Sequence, residues 1–160
     1  MHNEKPRRIL YIEDHEDTRE LVTLLLAQKS YEVITGSTIE SGVALAGAGD
    51  FDLFLLDSWL PDGSGLDLCK KIRQFDQTTP ILFYSAAAYA ADSELALNSG
   101  AQAYLVKPSQ PSDLCDLVTE LIEESGQARS GAGTCVNCRG GGKQRATVAL
   151  TTTGQPTWRR

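Results

Sequence analysis

The stretch Asp52–Gly65, with the sequence DLFLLDSWLPDGSG, decides the fold of this chain. Four consecutive apolar residues, Leu53 to Leu56, end at Asp57, and a loop rich in proline and glycine follows. A short apolar run bounded by turn residues is typical of a strand buried on both faces of a parallel sheet. Ligands of such sheets bind at the carboxyl ends of the strands, so Asp57 is a candidate nucleophile or metal ligand. An aspartate here could also simply end the strand or cap the next helix.

Strand-like and helical segments alternate along the chain on both sides of this stretch. The apolar runs that predict four further strands are Arg8–Glu13, Tyr31–Thr35, Ile81–Ser85 and Ala103–Val106. A segment that favours a helix follows each predicted strand, and its clearest apolar stripe runs from Leu114 to Ile122. Five strand–helix units with short connections predict an α/β fold in which helices cover both faces of a parallel sheet.

The length and the charge pattern predict one folded domain followed by a tail. A chain of 160 residues suffices for one domain with a proper core, which we expect to span residues 1–125. Residues 126–160 have no stripe or alternation and are rich in Gly, Thr and Arg, which predicts a flexible basic tail and no output domain. All 21 acidic residues precede Gly126. An acidic body argues against direct nucleic-acid binding, and the tail alone would attach only weakly to DNA.

Composition also bears on location and on the cysteines. The sequence contains no apolar run of membrane-spanning length, and its N-terminus lacks the apolar core of a signal peptide. We therefore expect a cytoplasmic protein without membrane contact. Cys135 and Cys138 form half of a zinc-type signature, but structural zinc needs four ligands and no second pair follows within the tail. A zinc site is the less favoured interpretation of this pair.

Polar side chains stand at the carboxyl ends of four predicted strands, which share one edge of a parallel sheet. They are Glu13, Asp14, Asp57, Ser85 and Lys107. Two carboxylates about 4 Å apart repel by about 4 kcal/mol at an effective dielectric constant near 20, so such a cluster must protonate or bind a cation. Hard oxygen ligands, with few from the protein, suit Mg²⁺.

The same set of residues suits phosphoryl transfer. Lys107 can meet an anionic oxygen as a point charge, and Ser85 can donate a hydroxyl hydrogen. Asp57 remains as the nucleophile, because carboxylates accept phosphoryl groups as aspartyl phosphates. In the simpler alternative, the acidic pair only interacts with a helix dipole and Lys107 is an ordinary surface lysine. A helix dipole explains neither Lys107 nor Ser85, and Lys107 directly follows an apolar strand and precedes Pro108.

On these residues the chain resembles the receiver domains of bacterial two-component response regulators. The resemblance runs from residue 8 to about residue 124, and the matching positions are Glu13-Asp14, Asp57 with Pro61 and Gly65, Ser85 followed by Ala86, Tyr104, and Lys107-Pro108. It implies a flavodoxin-like, doubly wound sheet of five parallel strands in the order 2-1-3-4-5. It also implies a single-domain regulator that turns over no metabolite and catalyses only its own phosphorylation and dephosphorylation.

The resemblance also implies roles for individual residues. Asp57 would accept a phosphoryl group from a phosphohistidine on a sensor histidine kinase or a histidine phosphotransfer protein. Mg²⁺ would be held by Glu13, Asp14, Asp57 and the backbone carbonyl of Trp59. Lys107 and Ser85 would contact the phosphoryl group, Ser85 and Tyr104 would act as the switch toward a downstream protein target, and Pro108 is a candidate for a cis peptide bond.

Two positions depart mildly from the commoner receiver pattern. Glu13 stands where aspartate is more frequent, which lengthens one ligand arm, and Ser85 stands where threonine is equally familiar. Trp59 is less usual beside the acceptor, and its bulk could shield the acyl phosphate from water. One rival function is a phosphatase of the haloacid-dehalogenase type. That class uses a second aspartate two residues after the nucleophile, where this chain has Trp59. The other rival is a degenerate receiver that binds partners without phosphorylation, which the complete set of site residues disfavours.

Overall fold

A computed structural model of the chain describes residues 5–130, 147–150 and 156–159. Strands and helices alternate along it, with a short hairpin inserted before the third helix. In chain order the elements are β1 (Arg8–Ile12), α1 (Glu16–Ala27), β2 (Glu32–Gly36), α2 (Ile39–Ala48), β3 (Leu53–Leu56), β4 (Trp59–Leu60), β5 (Gly63–Ser64), α3 (Gly65–Arg73), β6 (Ile81–Ser85), α4 (Ala90–Asn98), β7 (Ala103–Val106), α5 (Pro111–Ser130), β8 (Thr147–Leu150) and β9 (Pro156–Arg159).

The five main strands form a parallel sheet in the order β2-β1-β3-β6-β7. Counted along the chain as five strands, this is the order 2-1-3-4-5, so the predicted fold is confirmed. The apolar run Leu53–Leu56 forms β3 at the centre of the sheet, and all four of its side chains are buried. Strands covered on both faces need such continuous apolar runs, so the sequence of this stretch indicates a central strand.

Each face of the sheet has its own hydrophobic core. Successive residues of a strand point to opposite faces, so β1 sends Ile9 and Tyr11 to one core and Leu10 and Ile12 to the other. The first core is completed by α1 and α5, and we call this side of the sheet the α1/α5 face. The second core is completed by α2, α3 and α4, and we call this side the α2–α4 face.

The structure differs from the sequence-based boundary at residue 125. Helix α5 continues to Ser130, because the residues that follow Gly126 include good helix formers such as Gln127 and Ala128. Beyond it, β9 pairs antiparallel with β7 and with β8, so the whole sheet has seven strands. An edge strand offers unpaired backbone groups, which explains how β7 accepts a further strand.

Most of the segment predicted to be a tail lies outside the described residues. These residues include Cys135 and Cys138, so neither the zinc alternative nor the flexibility of the tail is tested. Within the described part of the chain, none of the helices combines the length and the apolar character that crossing a membrane requires.

Candidate functional site

The acidic pair and Asp57 meet at the carboxyl edge of the sheet. Glu13 follows β1 and is almost fully buried, whereas Asp14 is about one-third exposed. Asp57 follows β3, and its backbone N–H donates to the Ile12 carbonyl at 3.0 Å, which fixes the end of β3 against the end of β1. A cavity of about 460 Å³ opens here, and its lining includes Glu13, Asp14, His15, Asp57, Trp59 and Lys107. The topology therefore brings together residues that lie up to 94 positions apart in sequence.

Lys107 lies between the two halves of the acidic cluster. Its Nζ donates a hydrogen bond to Glu13 Oε2 and lies 3.6 Å from Asp57 Oδ2. The ammonium group also lies 5.1 Å from the centre of the Tyr84 ring, a distance typical of a cation–π contact. The peptide bond between Lys107 and Pro108 is cis, as predicted. Lys107 thus neutralises part of the charge that the three carboxylates concentrate in the cavity.

The loop behind Asp57 is shaped by close backbone packing. Asp57 Oδ1 accepts a hydrogen bond from the Ser58 N–H at 2.7 Å, and the Gly65 N–H donates to the Ser58 carbonyl at 2.9 Å. A Cβ atom on Gly65 would lie 1.9 Å from the Asp57 carbonyl oxygen, so only glycine fits at this position. Trp59 in β4 has an exposed side chain that forms part of the cavity wall.

Ser85 and Tyr104 are linked through the loop that follows β6. Ser85 is fully buried, and its hydroxyl oxygen accepts from the Ala87 N–H at 3.3 Å. The Tyr104 hydroxyl donates to the Ala87 carbonyl at 2.8 Å, while its ring stacks on Phe83. Tyr104 is already turned inward and only 1% exposed, and this burial raises the pKa of its hydroxyl. Both predicted switch residues therefore hold the same backbone segment.

Sequence reasoning missed Tyr11 and Ser58 at this site. Tyr11 is fully buried, and its hydroxyl donates to Glu13 Oε2 at 3.0 Å. Burial, and then the neighbouring Glu13 carboxylate, raise the pKa of Tyr11, which keeps the hydroxyl protonated. The Ser58 hydroxyl lies 3.3 Å from the Tyr104 hydroxyl oxygen. His15 lines the cavity with its Nδ1 3.0 Å from Asp14 Oδ1, and this hydrogen bond raises the pKa of His15.

Some of these contacts had a signal in the sequence. Residues two apart in a strand lie on the same face, so a tyrosine two positions before Glu13 could have been recognised as its neighbour. No comparable spacing relates Ser58 to Tyr104, which are 46 positions apart.

The donor chemistry of the cavity fits a hard divalent cation. Ligand atoms of Glu13, Asp14 and His15 lie within 4.8 Å of one another. Asp57 adds carboxylate oxygens in the same cavity, and Trp59, whose backbone carbonyl is the fourth predicted ligand, borders it as well. Carboxylate and carbonyl oxygens are the ligands that Mg²⁺ prefers, and an open cavity leaves room for the waters that it keeps.

The fold and the site define a doubly wound α/β protein with an acidic, lysine-containing centre at the carboxyl edge of its sheet. The chain matches the family of the response regulator receiver domain over residues 9–119 and belongs to that family. It is 32% identical over 120 residues to "Response regulator ArlR" of Staphylococcus saprophyticus, covering 75% of this chain and 54% of that protein. It is 36% identical over 123 residues to "Transcriptional regulatory protein DltR" of Streptococcus agalactiae, covering 77% of this chain and 55% of that protein.

Solved structures agree with this assignment. A CheY-like response regulator receiver domain protein from Methanospirillum hungatei JF-1 superposes with a TM-score of 0.75 at 29% identity, covering 78% of this chain and 99% of that chain. A response regulator from Chloroflexus aurantiacus, described as putative, gives a TM-score of 0.71, also at 29% identity, covering 74% of this chain and 99% of that chain. The chain spans about half the length of the curated relatives it matches.

Proposed function

We propose that this receiver domain is a working phosphoacceptor switch of a two-component phosphorelay, with Asp57 as the acceptor and Mg²⁺ as its cofactor. The observation that carries the proposal is the position of Asp57. Its carboxylate lies in one cavity with the acidic pair, and Lys107 Nζ is 3.6 Å from its Oδ2. A carboxylate nucleophile beside a cation site and an ammonium group is what phosphoryl transfer requires.

In the proposed reaction an Asp57 carboxylate oxygen attacks the phosphorus of a phosphohistidine. The new O–P bond forms as the N–P bond breaks, and the electron pair of that bond stays with the departing imidazole. Mg²⁺ would be held by Glu13, Asp14, Asp57 and the Trp59 carbonyl, and it would neutralise charge on the phosphoryl oxygens. Lys107 supplies a second positive charge to the same oxygens.

The phosphoryl donor is proposed to be a sensor histidine kinase or a histidine phosphotransfer protein. The output is proposed to be an altered surface for a downstream protein target, not the conversion of a metabolite. Direct nucleic-acid binding is not proposed for this domain, because all 21 acidic residues of the chain precede Gly126.

Ser85 and Tyr104 are proposed to relay phosphorylation to that surface. The phosphoryl group on Asp57 would carry nearly two negative charges in place of the single charge of the carboxylate, and it would present three acceptor oxygens that a hydroxyl can reach by moving toward them. The Ser85 hydroxyl can donate to one of these oxygens while its oxygen still accepts from the Ala87 N–H, so its movement toward the phosphoryl group would draw the Ala87 segment with it. Because Tyr104 holds the carbonyl of the same residue, movement of the loop after β6 changes the environment of its ring. The result is a shift between two conformations that both exist beforehand.

Incubation with acetyl phosphate and Mg²⁺, followed by intact mass spectrometry, tests the proposal. We expect a gain of one phosphoryl group that requires Mg²⁺ and is absent from Asp57→Asn, because the amide is a poor nucleophile. Asp52→Asn is the matched control, since that aspartate lies at the opposite end of β3 and should leave the gain intact. A chain that folds but gains no mass would instead be a degenerate receiver that binds partners without phosphorylation.

The phosphatase alternative is disfavoured by Trp59. In that class, the residue two positions after the nucleophile supplies a proton to the leaving group. Here the position carries an indole ring, which has no acidic proton at neutral pH.

A further inference from the structure

A glutamate at position 13 needs neighbouring groups that hold its carboxylate in place. Its side chain has one more rotatable bond than aspartate, so a carboxylate at its end can adopt more positions. A cation ligand must be held within about 0.5 Å of its productive position, which neighbouring groups have to ensure. The structure contains a group that can do this for Glu13.

The two oxygens of the Glu13 carboxylate have different surroundings. Oε2 accepts hydrogen bonds from the Tyr11 hydroxyl, at 3.0 Å, and from Lys107 Nζ. Oε1 accepts a hydrogen bond from the backbone N–H of His15 at 3.3 Å, and His15 Nδ1 lies 3.6 Å from it. Asp14 belongs to the same group of candidate ligands. The Tyr11 hydroxyl and Lys107 thus hold Oε2 on the core side, while the His15 N–H holds Oε1 on the side of the other candidate ligands.

Tyr11 and Lys107 differ in how firmly they hold Oε2. The Tyr11 ring is fully buried in the core of the α1/α5 face, among side chains such as Leu55 and Leu105. It cannot move without disturbing that core. Lys107 follows the end of β7 on a flexible side chain and is needed at the phosphoryl group in the proposed reaction. When Lys107 turns toward Asp57, the Tyr11 hydroxyl stays on Oε2.

We propose that Tyr11 is a positioning residue of the cation site, whose hydroxyl anchors Glu13 Oε2 so that the longer glutamate arm presents Oε1 to the divalent cation. This role rests on the proposed function, because it requires that Glu13 binds Mg²⁺. It makes Tyr11 and Glu13 a matched pair: the tyrosine reaches a glutamate at this position but not the shorter aspartate.

The direct test is Mg²⁺ titration monitored by the fluorescence of Trp59. The chain has two tryptophans, so all variants carry Trp158→Phe and Trp59 reports alone. Tyr11→Phe keeps the ring and removes the hydroxyl, and we expect the affinity for Mg²⁺ to fall about tenfold, as for other residues that orient a metal ligand. Tyr31→Phe is the matched control, because it also removes one hydroxyl contact, 2.9 Å from Thr119, on the same face but away from the cavity. Its affinity should stay within about twofold of the starting chain.

Measuring the effect of Tyr11→Phe in a Glu13→Asp background distinguishes a positioning role of Tyr11 from an effect on core packing. In Glu13→Asp the carboxylate is one methylene shorter and no longer reaches the Tyr11 hydroxyl. Adding Tyr11→Phe to this variant should change the Mg²⁺ affinity by less than about twofold. An equal loss in both backgrounds would mean that Tyr11 acts through the core, and no loss in the glutamate background would mean that it does not act at all. Either result overturns the role of Tyr11.

The Mg²⁺ titration and the phosphorylation assay together distinguish a wrong role for Tyr11 from a wrong proposed function. If the starting chain binds Mg²⁺ and gains a phosphoryl group, but Tyr11→Phe matches it, only the role of Tyr11 is wrong. If the starting chain shows no response to Mg²⁺, the proposed function fails at its cofactor and the role of Tyr11 fails with it.

Discussion

On each face of the sheet a buried tyrosine bonds to a group at the carboxyl edge, but the two tyrosines, Tyr11 and Tyr104, have different kinds of partner. On the α1/α5 face, Tyr11 donates to the charged Glu13 carboxylate. On the α2–α4 face, Tyr104 donates to the neutral Ala87 carbonyl and lies 3.3 Å from the Ser58 hydroxyl. Both rings are buried to a similar degree, with 0% and 1% of their surface exposed. The difference therefore lies in the partners and not in the packing.

This difference divides the site into a fixed half, around Tyr11 and Glu13, and an exchangeable half, around Tyr104 and Ala87. Hydrogen bonds to charged groups contribute about 1.5–3 kcal/mol, whereas neutral ones contribute about 0.5–1.5 kcal/mol. The contact of Tyr11 is accordingly suited to persist, and those of Tyr104 can be exchanged for others at small cost. In the proposed function, the first half holds the cation in every state and the second half changes on phosphorylation. Variants in either half of the site test this separation.

Asp14→Ala should remove most of the Mg²⁺ affinity without disturbing Tyr104. A hard cation with few protein ligands loses much with each one, so we expect a fall of more than about tenfold. Titration by Trp59 fluorescence in the Trp158→Phe background measures it. Asp17→Ala removes an exposed acidic residue of the first turn of α1 and serves as the control. Unchanged affinity in Asp14→Ala would place the cation elsewhere.

Ser85→Ala should separate phosphorylation from its readout. The variant keeps Asp57, so it should still bind beryllofluoride in the presence of Mg²⁺. Without the hydroxyl it should lose most of the shift in amide resonances around Tyr104 that the unmodified chain shows. Ser58→Ala provides the comparison, because Ser58 contacts Tyr104 directly from the acceptor loop. A full shift in Ser85→Ala together with a lost shift in Ser58→Ala would assign the relay to Ser58 instead.

Tyr104→Phe should lower the stability of the fold but leave the fixed half of the site, which holds the cation, unchanged. It removes one neutral hydrogen bond donor and leaves the Ala87 carbonyl without it, which should lower the free energy of unfolding by about 1 kcal/mol. For a chain of this size that corresponds to a melting temperature about 2–4 °C lower. Mg²⁺ affinity should stay within about twofold of the parent value. If it fell as far as in Tyr11→Phe, the two halves would not be independent.

Asp62→Ala should act on stability alone and in a pH-dependent way. The Ile39 and Glu40 N–H groups donate to the Asp62 carboxylate at the start of α2 and hold its pKa below the usual value. Because the pKa is lower in the folded state, the stabilisation is present above about pH 4 and is lost as the pH falls further. We expect a loss of about 0.5–1 kcal/mol at pH 7, as for other helix caps, and a smaller difference at low pH. Thermal melts of both chains across this range would measure it, and a difference that grew on acidification would contradict the assignment.

Truncation after Ser130 should leave both halves of the site intact. It keeps α5 complete and removes β8 and β9, of which β9 is paired with β7 at two positions only. We propose that residues 131–160 contribute little to the fold, so phosphorylation of Asp57 should be unchanged and the melting temperature should fall by no more than about 2–4 °C. A larger fall would show that the added strands are part of the stable core on the Tyr104 side.

The sequence alone determined the sheet, its helices and the positions of the main site residues. Continuous apolar runs such as Leu53–Leu56 specify buried strands, and parallel strands must end at a shared edge, so Asp57, the acidic pair and Lys107 could be placed together before any coordinates were known. The strand order followed from the resemblance to receiver domains. These features depend on patterns of many residues, which packing rarely overrides.

Only the tertiary structure shows which side chains are in contact and where helices and strands depart from the pattern of the sequence. The contact between Ser58 and Tyr104 depends on the separation of two loops, and the contact between Tyr11 and Glu13 depends on rotamers within a packed core. The continuation of α5 to Ser130 and the pairing of β9 with β7 depend on local surroundings that no periodicity reports. Hydrogen bonds form over distances near 3 Å, whereas sequence patterns locate the ends of an element only to within a few residues, and that difference in scale is why these details required the folded structure.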